Sequence, residues 1–149
     1  MSDDELISLA IQARQRAYAP YSHFAVGAAL LTRSGQVYTG ANVENASYGL
    51  SVCAERVAIW KAISEGQHEF VALAVVTENG VTPCGACRQI MAEFGQDTLR
   101  VLVADAQGRY TVHTLAQLLP EAFTPQKLSE AKRTQLVREG KDKSEIQNL

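Results

Sequence analysis

Three cysteines and one glutamate carry the chemistry most readily read from this chain. Cys84 and Cys87 stand in the run Pro83-Cys84-Gly85-Ala86-Cys87, where Pro83 is set to end a loop and start a helix. Residues three apart at a helix start share a face, so both sulfurs can reach one ion. Cys53 opens a second helix, reached from a different loop. If the two helix N-termini converge, their free N–H groups and positive dipole ends favour three thiolates there. Three protein ligands leave the fourth tetrahedral position to water, the arrangement of a catalytic zinc site. Taken alone, Cys84 and Cys87 would also suit a redox dithiol or inert buried thiols. Glu55 lies two residues after Cys53, a spacing that does not face the same point. Its place is therefore beside the open position of the metal, not on the metal. A carboxylate there can take a proton from bound water and hand it on.

The elements that must position these groups follow from periodicity and punctuation. Ser2 to Glu5 reads as a capping box, and apolar residues at helical spacing carry a first helix to about Ala17. Phe24 to Thr32, the turn Ser34-Gly35 and Val37 to Asn42 read as a hairpin. Asn45 to Ser51 reads as loop. A helix runs from Cys53 towards Gly66, its C-cap glycine. Phe70 to Thr77 is a continuous apolar run, as expected of a strand covered on both faces. Cys84 to Phe94 is a helix stopped by Gly95, Leu99 to Ala104 a buried strand, and Tyr110 to His113 a last short strand. Thr114 to Leu119 is a short helix. This order predicts an α/β fold, a three-layer α-β-α sandwich around a mixed five-stranded sheet.

Composition sets the outer limits. With 149 residues, 46% of them apolar, the chain can bury a full core without disulfide staples. Three cysteines are an odd number, which argues against a disulfide framework and for metal or thiol chemistry. Fourteen Lys and Arg stand against 16 Asp and Glu, a formal charge of -2. That balance offers no footprint for nucleic acid. No secretory signal and no run of eighteen apolar residues is seen, so the expected place is the cytoplasm, with no membrane partner. After Pro125 the composition turns strongly charged. The expected division is a catalytic domain over 1–125 and a tail over 126–149, helical or disordered, with Leu128, Leu136 and Ile146 as its few anchors.

Several stretches together resemble the short, single-domain cytidine deaminases of the homotetrameric type. They are Tyr21 to Leu30 (YSHFAVGAAL), Asn42 to Gly49 (NVENASYG), Cys53-Ala54-Glu55-Arg56, and Pro83 to Gln89 (PCGACRQ), within a likeness that covers about residues 18 to 125. The Cys-x-Glu and Pro-Cys-x-x-Cys elements match the zinc deaminase signature. The resemblance implies zinc-dependent hydrolytic deamination of cytidine and 2′-deoxycytidine, in which Glu55 protonates N3 and carries a proton to the departing amine. It implies Zn²⁺ on Cys53, Cys84 and Cys87, and Arg56, three residues after Cys53, hydrogen-bonding to thiolate sulfur. Otherwise Arg56 would read as an ordinary solvated helix residue. Asn42 and Glu44, solvated loop residues on their own evidence, become the pair that grips the ribose hydroxyls. Glu44 would repel a phosphate, so a free nucleoside fits better than a nucleotide or polynucleotide. Phe24, a core residue by default, becomes the flat side chain facing the pyrimidine ring. The backbone around Ala54 and Pro83-Cys84 would read the amide edge and exocyclic amine.

The same resemblance implies a homotetramer in which Tyr48 and Phe123 approach a neighbouring subunit's site. Thr124 stands where the family often has Gly, which bears on the reach of Phe123. His23, His68 and His113 fall outside any ligand spacing. The alternatives are the same chemistry on a modified cytidine or an aminonucleoside antibiotic, and a non-enzymatic zinc-binding module.

Overall fold

The computed structural model describes residues 1–141 together with Ser144 and Gln147. Five strands form one sheet: β1 (Gly27–Thr32), β2 (Val37–Ala41), β3 (Phe70–Val76), β4 (Arg100–Ala104) and β5 (Tyr110–Thr114), in the order β2-β1-β3-β4-β5. The sheet is mixed. β3 and β4 run parallel and the other three pairings are antiparallel.

Alternation along the central strands divides the core in two. Ala28, Leu30, Leu73, Val75, Val101 and Val103 face one layer, built from α2 (Ala54–Ser64), α3 (Gly85–Phe94) and the short α4 (Leu115–Leu118). Ala29, Ala72, Ala74, Val76, Leu102 and Ala104 face the other, against Leu6, Ile7 and Ala10 of α1 (Asp3–Arg14). The α1 side of the sheet is mostly alanine, so the helix seats close. A Cβ on Gly27 would stand 2.0 Å from the Ala10 carbonyl oxygen. On the opposite face, a Cβ on Gly40 would stand 2.5 Å from the Ala54 carbonyl oxygen. Both strands therefore need glycine where a helix backbone crosses them. Gly40 thereby sets how closely the first turn of α2 approaches the sheet.

The expected elements are present, with edges moved for local reasons. The first helix ends at Arg14 with Gln15 as C-cap, and Arg16 and Ala17 make tighter i→i−3 bonds instead. Phe24 to Val26 stand outside the ladder because the Asn42 side chain takes their backbone groups. Its Oδ1 accepts from the Val26 N–H at 2.8 Å, and its Nδ2 donates to the Phe24 carbonyl at 2.8 Å. Tyr48–Leu50, expected as loop, forms a single 3₁₀ turn. Pro125–Arg138 is a helix, α5, capped by the Thr124 hydroxyl, and none of its residues is buried. Ile146 lies outside the described residues.

Candidate metal centre and surrounding cavity

The register brings four chain segments to one end of the sheet. Gly27 pairs with both Ala41 and Val76, and Val76 pairs with Ala104. The entry to β1 and the exits of β2, β3 and β4 therefore share an edge, the end at which mixed α/β sheets place ligands. α2 and α3 both start there. Their N-cap residues are Cys53 and Cys84, neither of which makes a side-chain cap hydrogen bond. Ser, Thr, Asp or Asn would stabilise those positions better. The two helix starts give up that stabilisation and present sulfur.

The sulfurs of Cys53, Cys84 and Cys87 all lie within 4.8 Å of one another. Cys53 Sγ is 4.0 Å from Cys84 Sγ, and all three are free thiols. Burial is graded: Cys87 is fully buried, Cys53 half-buried and Cys84 exposed. Arg56 Nη2 donates to Cys53 Sγ at 3.1 Å. A hydrogen bond from Cys87, then the Arg56 guanidinium, holds the Cys53 thiol down at about 5 against the opposing effect of burial. Cys87 is pushed up, first by giving that hydrogen bond and then by burial. Glu55 is 4% exposed. Burial raises its pKa, the nearby Cys53 charge adds to the rise, and a hydrogen bond from Cys87 opposes it.

Three convergent soft sulfur donors with no fourth side-chain ligand among the described residues are a donor set that fits zinc. The Nε of Arg56 is buried with no hydrogen-bond partner among the described residues.

A cavity of about 530 Å³ opens onto these groups. Of the expected residues, Phe24, Asn42, Glu44 and Tyr48 line it, as do Cys53, Glu55, Arg56 and Cys84. Ala54 is fully buried and is not among the lining residues. Phe123 stands away from the cavity, 60% exposed, with its carbonyl accepting from Gln89 Nε2 at 2.8 Å.

Asn42 is buried, and both ends of its amide already hold the Phe24–Val26 backbone. One Nδ2 hydrogen and one Oδ1 lone pair remain for a ligand. Glu44 is similarly engaged. Its Oε1 accepts from the Tyr21 and Ser22 N–H groups, and its Oε2 accepts from the Ser22 hydroxyl. These bonds, the Ser22 hydroxyl first, hold Glu44 below the usual carboxylate range. The Tyr21 and Tyr48 rings meet edge to face with centroids 5.7 Å apart.

Sequence reasoning missed several wall residues. Ser22, Val75, Thr77 and Thr82 line the cavity. Ser22 lay inside a recognised stretch, but its pairing with Glu44, twenty-two residues on, leaves no local signal.

The family model of the cytidine and deoxycytidylate deaminase zinc-binding region matches residues 1–103. A cytidine deaminase of Halalkalibacterium halodurans is 52% identical over 132 residues, covering 87% of this chain and all of that protein. A cytidine deaminase of Sporosarcina psychrophila is 48% identical over 133 residues, covering 88% of this chain and 98% of that one. The crystal structure of cytidine deaminase from Burkholderia pseudomallei superposes with a TM-score of 0.80 at 52% identity, covering 83% of this chain and all of that one. The thiol cluster, the sheet that presents it and these likenesses together show that the chain belongs to the cytidine and deoxycytidylate deaminase zinc-binding family.

Proposed function

We propose that this chain catalyses the hydrolytic deamination of cytidine and 2′-deoxycytidine to the corresponding uridines and ammonia, with one zinc ion held by Cys53, Cys84 and Cys87. One observation carries the reading: three thiols converge, two of them, Cys53 and Cys84, in the wall of a cavity that is also lined by a buried carboxyl group, Glu55, while Cys87 lies buried behind them. Zinc bound there would supply a Lewis acid with an open position for water. The remaining work belongs to the chain. Burial raises the Glu55 pKa above that of an ordinary carboxyl, which makes it a better proton acceptor for a group that must take up a proton and return it. It places a proton on N3 of the pyrimidine and delivers one to the departing amine.

Phe24 offers its ring to the base, and the backbone around Ala54 and Pro83-Cys84 reads the amide edge. Asn42 and Glu44 take the sugar hydroxyls, Glu44 as an acceptor. Its depressed pKa keeps it ionised, which favours a neutral nucleoside over a phosphorylated one. Arg56 offsets the charge that three thiolates would bring to a dication.

The assembly is a homotetramer in which Tyr48 and Phe123 complete neighbouring sites. The reading is supported by the exposure of these rings, 73% and 60%, which leaves both free to meet another copy of the chain. The catalytic unit is residues 1–125, and its place is the cytoplasm, where three free thiols stay reduced. No described helix is long and apolar enough to cross a membrane.

The named relatives favour this reading over a modified cytidine or aminonucleoside antibiotic as substrate, and over a non-enzymatic zinc module. The test is metal analysis of the purified protein combined with ultraviolet absorbance on cytidine, deoxycytidine and an aminonucleoside panel. The expected result is one zinc per chain and absorbance loss on the first two. Zinc-free protein, or zinc-loaded protein inert on both, would overturn it.

A further inference from the structure

The corner of the cavity formed by Thr82, Pro83 and Cys84 belongs to neither the sheet nor a helix. Its backbone is held from α3 by one side chain. Arg88 lies four residues after Cys84, and its backbone N–H closes the first helical turn onto the Cys84 carbonyl at 3.1 Å. Its guanidinium then reaches back over that turn. Nε donates to the Pro83 carbonyl at 2.8 Å, and Nη2 donates to the Thr82 hydroxyl at 2.8 Å. Nη1 donates to the Leu118 carbonyl at 2.6 Å, at the end of α4. A planar fork of charged donors is thus spread over three acceptors on two segments, a geometry that lysine cannot reproduce.

The peptide immediately before Cys84 sets where its sulfur projects, because Cys84 is an N-cap with extended backbone and no cap bond of its own. Cys84 is also the exposed member of the thiol cluster, so neighbouring side-chain packing does little to confine it. We propose that Arg88 is a positioning residue: by holding the Pro83–Cys84 peptide and the Thr82 hydroxyl against the end of α4, it fixes Cys84 in reach of the ion and sets the cavity wall beside it. This inference rests on the proposed zinc site and extends it to a residue that touches neither metal nor substrate.

The test compares wild type, Arg88→Lys and Thr82→Val, the last removing only the Nη2 acceptor. Zinc release to a chromophoric chelator is followed, and so are the thiolate-to-cobalt absorption bands of cobalt-substituted protein and kcat and KM on cytidine. Arg88→Lys should release zinc about 10–100-fold faster, the scale for losing a group that orients a ligand. It should shift the cobalt bands and lower kcat more than it raises KM. Thr82→Val should move the release rate the same way by a smaller factor, and it decides the matter if Arg88→Lys does not fold. Wild-type release rates and cobalt bands in the folded variants, with only a lower melting temperature, would show a structural tie and overturn the inference. Wild-type protein that takes up neither zinc nor cobalt would sink the proposed function and this inference with it.

Discussion

Arg56 Nη2 stands 3.1 Å from Cys53 Sγ, one helical turn along α2, while its Nε is buried without a partner among the described residues. The guanidinium is thus committed to the thiol side of the helix rather than to solvent. Its charge offsets the accumulation of thiolate at a site that must also hold a dication and a carboxyl. Arg56→Gln should weaken zinc binding about 10–100-fold, read as competition against a chelator of known affinity. Affinity equal to wild type would mean that the sulfurs need no neighbouring cation.

Glu55→Gln tests the proton work directly. The amide has the shape of the carboxyl but cannot cycle a proton, so zinc content should persist while kcat falls. A single acid–base residue is typically worth on the order of 10²–10⁴ in rate, and more when it serves two steps. Metal analysis and the cytidine assay on one preparation separate the two effects. Turnover within tenfold of wild type would remove Glu55 from the reaction.

Asn42 separates binding from folding. Removing its amide in Asn42→Ala strips partners from the Val26 N–H and the Phe24 carbonyl. Unsatisfied groups of this kind typically cost about 1–3 kcal/mol each when buried, less where water can reach them. Denaturant unfolding should show a loss of that order, and KM for cytidine should rise because Phe24 is no longer held at the cavity wall. A stability loss with KM unchanged would confine Asn42 to a structural role.

The N-terminal helix is tied to β4 by a two-pronged pair. Arg100 Nη1 and Nη2 donate to Asp3 Oδ1 and Oδ2 at 2.9 and 2.7 Å. The hydrogen bond from Arg100 holds the Asp3 carboxyl below its ordinary range against a smaller opposing effect of burial. A depressed folded-state pKa means that the stabilisation is present above the unfolded value and lost as pH falls through the folded one. Because both partners are partly exposed, it should amount to no more than about 1 kcal/mol. The stability gap between wild type and Asp3→Asn should therefore be open at pH 7 and close as acid protonates the carboxyl. Urea melts across that range measure it, and a gap that does not narrow in acid would show that the pair is not its source.

Much of this protein is written locally. The central strands β3 and β4 are continuous apolar runs, and α1 announces itself by the Ser2–Glu5 capping box, which the structure contains. Cys84 and Cys87, three apart at a helix start, share a face, and Glu55, two after Cys53, is turned away from the point its cysteine faces, so the local part of the site is readable from spacing. The mixed sheet was legible in the order of the elements, and the deaminase family in a resemblance that also needed the stretches Tyr21 to Leu30 and Asn42 to Gly49.

What lay beyond the sequence depends on meetings between distant segments. Asn42 ends β1 at Gly27 by taking the backbone of Phe24 and Val26 for itself, and nothing within either strand signals that competition. The Glu44–Ser22 contact and the clamp of Arg88 on Pro83 and Leu118 likewise join residues distant in the chain, twenty-two residues apart in the first case and thirty from Arg88 to Leu118. Periodicity reports which face a residue belongs to. Only the folded sheet, by bringing one strand entry and three strand exits to a common end, decides which faces meet.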